Sequence, residues 1–97
     1  MDKPSGTGRT CVFDVEGDNL LHKVTKLHSI VAIDVATEEE FSWRPWEVED
    51  GLRFLQECEC LIGHNVIDYD LRAIEKLYPW WQRPAKIEDT LIYVRIV

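Results

Sequence analysis

The period of the apolar positions changes along this chain, and the changes mark out its elements. Residues 10–16 hold a nearly unbroken apolar run, Cys11-Val12-Phe13-Asp14-Val15-Glu16, which predicts a strand buried on both faces. Gly17-Asp18-Asn19 is a turn signal, and the basic stretch 22–26 is a connection. Residues 28–36 predict a second strand, in which Ile30, Val31, Ala32, Ile33 and Val35 are almost continuous. Thr37-Glu38-Glu39-Glu40 predicts a hairpin turn into a short third strand over 41–44. Pro45 suits the first turn of a helix, and Val48, Leu52 and Leu55 follow at helical spacing. Glu47, Glu49 and Asp50 stand where the helix dipole favours acids, while Gly51 weakens that helix. Residues 60–64 predict a short buried strand. Residues 68–78 predict a second helix with Ala73, Ile74 and Leu77 on one stripe, stopped by Pro79. A loop holding Trp80, Trp81 and Pro84 leads to Lys86-Ile87-Glu88-Asp89-Thr90 and a last apolar run, 91–97, which fits a strand or a helix.

Three strands, a helix, a strand and a helix in that order describe a meander followed by α/β crossovers. The expected fold is α/β with a mixed sheet, antiparallel at first and then parallel. The chain's 97 residues allow one domain, and its breaker-rich start, residues 1–9, reads as a flexible leader. With 45% hydrophobic residues the chain has the means to fold, and it lacks any apolar stretch long enough for a membrane helix. Three cysteines do not suggest a disulfide framework, and Cys58-Glu59-Cys60 has no second Cys or His pair to complete a metal motif. The net charge of −7 removes any generic attraction for nucleic acid, so contact with a polynucleotide needs a local site.

That site has candidates. Side chains alternate along a strand, so Asp14 and Glu16 share one face, with Phe13 and Val15 on the other. Two like charges side by side in a poorly solvated place repel each other and lose hydration. A divalent cation held through oxygen ligands relieves both penalties. The competing reading is an edge strand whose acidic face meets water. A second group, Gly63-His64-Asn65-Val66-Ile67-Asp68-Tyr69-Asp70, falls between a strand's C-terminal end and a helix's start, where open α/β sheets collect ligands. Asp68 fits an N-cap, and Asp70 falls on the stripe of Ala73, Ile74 and Leu77, so its carboxylate faces the sheet. Taken singly, Asp70 is a dipole-favoured acid, Asn65 a turn residue and His64 a satisfied core histidine. The combination with two acids on the first strand is what points to function.

Asp14-Val15-Glu16 followed by Leu20, and then Asn65-x-x-x-Tyr69-Asp70, resembles the first two motifs of DEDD-type 3′–5′ exonucleases. The likeness is nearest to the proofreading domain of phage-like family A DNA polymerases. It runs on through Gly17-Asp18-Asn19-Leu20-Leu21, the connection 23–28, the strand over 41–45 and Ile87-Glu88-Asp89-Thr90-Leu91, and so covers residue 11 onward. The resemblance implies a ribonuclease H-like fold and metal-dependent 3′–5′ hydrolysis of DNA during replication. In such a site two divalent ions, Mg²⁺ or Mn²⁺, about 3.5–4 Å apart, clamp the scissile phosphate. It further implies Asp14, Glu16 and Asp70 as catalytic residues and metal ligands. Leu20 matches an apolar wedge against the terminal bases, and Asn65, with its neighbour His64, a substrate contact. The implied partners are the 3′ end of single-stranded DNA and a polymerase or C-terminal exonuclease portion, or a second copy of the chain. No membrane is implied, and the setting is cytoplasmic, that of the host if the protein is phage-encoded.

The family's third motif, Tyr-x-x-x-Asp or His-x-x-x-x-Asp, has no counterpart after Asp70. Tyr93 has Val97 four positions on, and Asp89 matches an Asp-Thr that reads as a structural cap. Residues 10–97 are therefore expected to be the N-terminal half of an exonuclease domain, with its two-metal site short of one carboxylate. Three expectations follow: a piece of a longer enzyme, one part of a split enzyme, or a non-catalytic inhibitor or adaptor of nucleic-acid machinery built on the same half-fold. Trp43, Trp46, Trp80 and Trp81 bear on the last two, since surface aromatics mark partner faces.

Overall fold

The computed structural model describes residues 8–64 and 69–90 of the chain. Its elements are β1 (Thr10–Gly17), β2 (Leu27–Asp34), β3 (Glu40–Trp43), α1 (Val48–Gln56), β4 (Cys60–Gly63), α2 (Leu71–Leu77) and β5 (Lys86–Asp89). Short 3₁₀ turns, Leu21–Lys23 and Pro45–Glu47, precede β2 and α1. The five strands form one sheet in the order β3-β2-β1-β4-β5. The first three pair antiparallel, and β1, β4 and β5 run parallel. This is the mixed α/β sheet that the element order predicts, and it is consistent with a ribonuclease H-like fold.

One face of the sheet carries the core. Cys11, Phe13 and Val15 of β1 alternate inward, and Ile30 and Ala32 of β2 lie beside them in register. Leu52 and Leu55 of α1 and Leu71, Ala73 and Ile74 of α2 join the same buried cluster. Each fully buried leucine contributes about 2 kcal/mol. Trp81 closes the cluster, its indole N–H donating to the Leu52 carbonyl at 2.7 Å so that a buried polar group is satisfied. Gly51 has a packing reason inside α1: a Cβ there would meet the Trp43 ring at 2.7 Å.

The strands depart from the sequence reading in two places. β1 is not buried on both faces: Val12 is 42% exposed, as are Val31 (43%) and Ile33 (38%) of the neighbouring β2. Both helices pack on the other side, and an apolar run does not by itself say how many faces are covered. The fifth strand lies at Lys86–Asp89, a stretch whose polar pattern predicts no element; its parallel pairing with β4 supplies the order that its side chains do not. The apolar run 91–97 and the predicted N-cap Asp68 lie outside the described residues.

Candidate functional site

β1 and β4 pair in parallel only from Thr10↔Cys60 to Val12↔Ile62, and β4 ends at Gly63. Beyond that point β1 continues on β2 alone, with a bulge between Glu16 and Gly17. The chain leaves β1 toward β2 on one side, while β4 lies on the other. The crevice past their C-terminal ends is thus a topological switch point.

Asp14 and Glu16 project from β1 on its exposed face, opposite Val31 and Ser29 of β2. β1 is therefore a central strand with an acidic, open face, neither doubly buried nor an edge. A hydrogen bond with Asp14, then the charge of that neighbour, then burial raise the pKa of Glu16 above the usual carboxylate range. The two side chains thus stand side by side on this face.

Asp70 reaches the same place from the helix side. Its Oδ2 accepts the Val15 N–H at 3.2 Å, beyond the stretch of β1 that β4 pairs. The residue is 7% exposed. Burial is the largest influence on its carboxyl, and the charges of Asp14 and Glu16 add to it, so that its pKa is pushed up to about 7 despite the N–H bond. Three acids from two separate motifs thus act on one another at the end of β1.

The loop after β1 is held by bonds that sequence reading missed. Asp18 accepts the Thr25 N–H at 2.9 Å, the Thr25 hydroxyl and, at 3.4 Å, the Lys26 N–H. These bonds pull its pKa down to about 2. The Tyr69 hydroxyl donates to the Asn19 carbonyl at 2.6 Å. A Cβ at position 17 would meet that hydroxyl oxygen at 2.5 Å, so glycine lets Tyr69 cross here. The sequence signals were present in the glycine beside Asp14-x-Glu16 and the tyrosine beside Asp70. Leu20 stands on this loop 66% exposed, with its N–H on Asn19 Oδ1 at 2.8 Å, so it is not a core residue.

His64 lies exposed at the end of β4, where its Nδ1 is 3.0 Å from the Thr90 Oγ1. Thr90 donates in turn to the Gly63 carbonyl at 3.3 Å, so the pair ties the ends of β4 and β5 together. Asn65, the other expected substrate contact, lies outside the described residues. Asp89 is buried at the end of β5, beside Gly63 in register. Of the four tryptophans, Trp81 is buried and Trp43 half-buried, whereas Trp46 and Trp80 are exposed.

A divalent cation suits the chemistry of this donor set, which is two neighbouring carboxylates on an open face and a third acid whose charge the fold disfavours. Among the described residues, however, no three His, Cys, Asp or Glu side chains are drawn into a ready-made ligand group. The acids present fit the outline of a cation site. The three cysteines are free and buried, away from this chemistry, with burial pushing the Cys58 thiol up to about 12. Among the described residues no helix is long and apolar enough to cross a membrane.

No family model matches the sequence, and no curated protein matches it significantly. Among solved structures the fold is similar to part of the family B DNA polymerase from the hyperthermophilic archaeon Pyrobaculum calidifontis. The TM-score is 0.58 at 15% identity over 75% of this chain. The match spans 11% of the polymerase chain. At that identity the likeness concerns the fold alone, and it is to a family B polymerase, whereas the expected likeness is to family A. The chain thus shares its α/β fold with part of a DNA polymerase.

Proposed function

We propose that this chain carries the acidic half of a metal-dependent 3′–5′ exonuclease site of the DEDD type, and that its substrate is the 3′ end of a DNA strand. The observation that carries the reading is the meeting of Asp14, Glu16 and Asp70 where β1 outruns β4. The order and spacing of the two motifs support the finer assignment to family A proofreading domains. Asp14 would touch both divalent ions, Glu16 would help hold the one that carries the nucleophilic water, and Asp70 would act on the other. Bound Mg²⁺ or Mn²⁺ would neutralise phosphodiester charge and lower the pKa of a water, so that it gives up a proton and attacks phosphorus as hydroxide. The chain's own part is to fix the carboxylates on a rigid strand and to present Leu20 beside them. A fourth carboxylate would come from a polymerase or exonuclease portion beyond these motifs, or from a second copy.

The test uses an oligonucleotide labelled at either end, with Mn²⁺, and the Asp14→Ala variant. Shortening from the 3′ end by the parent alone supports the reading. Equal degradation by both proteins would sink it. A second reading, a binding protein that has given up catalysis, is favoured by the 75% exposure of Trp46. Metal-indifferent capture of a protein partner, lost on Trp46→Ala, would select it.

A further inference from the structure

Directly after Leu20 the chain makes the 3₁₀ turn Leu21–Lys23 and packs against α2, with Lys76 Nζ donating to the Leu21 carbonyl at 3.0 Å. Between turn and helix lies a cavity of about 420 Å³ lined by Leu21, His22, Arg72 and Lys76. Arg72 and Lys76 stand four residues apart on α2 and so share a face. Both are exposed, and neither has an ion-pair partner among the described residues. Among the described residues no acid lines the cavity. In a chain of 18 acids and 11 bases, three nitrogen-bearing side chains around one hollow run against the average composition.

We infer that this cavity seats backbone phosphates of the DNA strand whose 3′ end lies at Asp14, Glu16 and Asp70. The inference rests on the proposed function for its direction, since Arg72 is two residues from Asp70 and Leu21 follows the exposed Leu20. Guanidinium and ammonium groups donate to phosphate oxygens, while Leu21 and the lysine stem offer apolar contact to a sugar. Phosphate contacts position a strand without reading its sequence, as a trimming enzyme requires. The cavity also answers the charge problem: it offsets locally the repulsion that net −7 imposes on a polyanion.

Binding of a fluorescein-labelled oligothymidylate to the Asp14→Asn/Glu16→Gln protein in EDTA tests this without any hydrolysis. Those two changes remove the strand-borne acids Asp14 and Glu16 and their repulsion, and leave Asp70 in place. Arg72→Gln and Lys76→Gln, added singly, are expected to weaken binding about fivefold each and to lower the salt slope by about 0.7 per cation removed. Lys86→Gln, which removes the same charge at the start of β5, is expected to leave binding unchanged. Arg72 makes no described hydrogen bond within the fold, so its variant separates contact from folding. Unchanged affinity in Arg72→Gln, an equal loss in Lys86→Gln, or no binding by the parent would each overturn the cavity assignment. Cavity-dependent binding by a chain whose Asp14 and Glu16 bind no Mn²⁺ would instead overturn the exonuclease reading and leave the phosphate seat standing.

Discussion

The carboxylate of Asp70 accepts the backbone N–H of Val15 at 3.2 Å, across 55 residues of sequence. That bond stands in for the strand partner that β4 does not provide beyond Val12, and it brings a helix-borne acid to the edge of β1. Desolvation then disfavours its charge, and Asp14 and Glu16 disfavour it further. The same geometry that completes the backbone pairing concentrates negative charge, and a cation is the natural counterweight.

Stability in EDTA should therefore depend on Asp70. Its pKa is about 7 in the folded chain against an ordinary 3.8. The folded state therefore binds the proton more tightly, so this group's contribution is full below about pH 4 and is lost as pH rises through about 7. The loss is on the order of 4 kcal/mol at most. Urea unfolding across that range should slope downward for the parent and stay nearly flat for Asp70→Asn, which keeps an acceptor for Val15. Parallel curves would remove the claim.

Asp18 has the opposite sign. Its depressed pKa means that its bonds to Thr25 and Lys26 stabilise the loop above the ordinary carboxylate range and fade as pH falls through about 2. Asp18→Ala should lower the melting temperature by a few degrees near neutrality, with the difference from the parent closing in strong acid. A constant difference at all pH values would mean that the charge is irrelevant.

Gly17 and Tyr69 should be coupled. Gly17→Ala is expected to cost roughly 1–3 kcal/mol, because its Cβ meets the Tyr69 hydroxyl oxygen at 2.5 Å and Val24 Cγ2 at 2.9 Å. Tyr69→Phe removes the first obstacle and the bond to Asn19. In a double-mutant cycle the two losses should sum to more than the double variant shows. Strict additivity would refute the crossing.

Gly51→Ala tests packing against propensity. Helix propensity alone would favour alanine by about 1 kcal/mol. The Trp43 ring, which the new Cβ would meet at 2.7, 2.9 and 3.0 Å, should reverse the sign. Thermal unfolding of the single variant decides it, with stabilisation contradicting the account.

Much of this fold was legible because the apolar periods agree with the breakers. The turn at Gly17-Asp18-Asn19, the hairpin near Glu38 and the proline start before α1 all fall where local chemistry puts them. β5 was not legible, since Lys86, Glu88 and Asp89 give it little apolar signal and its order comes from β4. The open face of β1 was hidden for the converse reason, as Val12 and Val31 look like core residues in one dimension. In the candidate site, the motif spacing anticipated that Asp70 would face the sheet. The Asp18 clamp joins residues 7 apart and the Tyr69 crossing residues 50 apart, and only Gly17 and Tyr69, each beside a motif acid, hinted at the second.

The most direct test of the central claim is a Mn²⁺ titration of the isotopically labelled chain, followed by paramagnetic broadening of its amide signals. The account predicts selective loss of the Val15, Glu16 and Asp70 signals at low Mn²⁺, abolished in Asp14→Asn/Glu16→Gln. Broadening spread over the surface acids, or unaltered in the double variant, would contradict it.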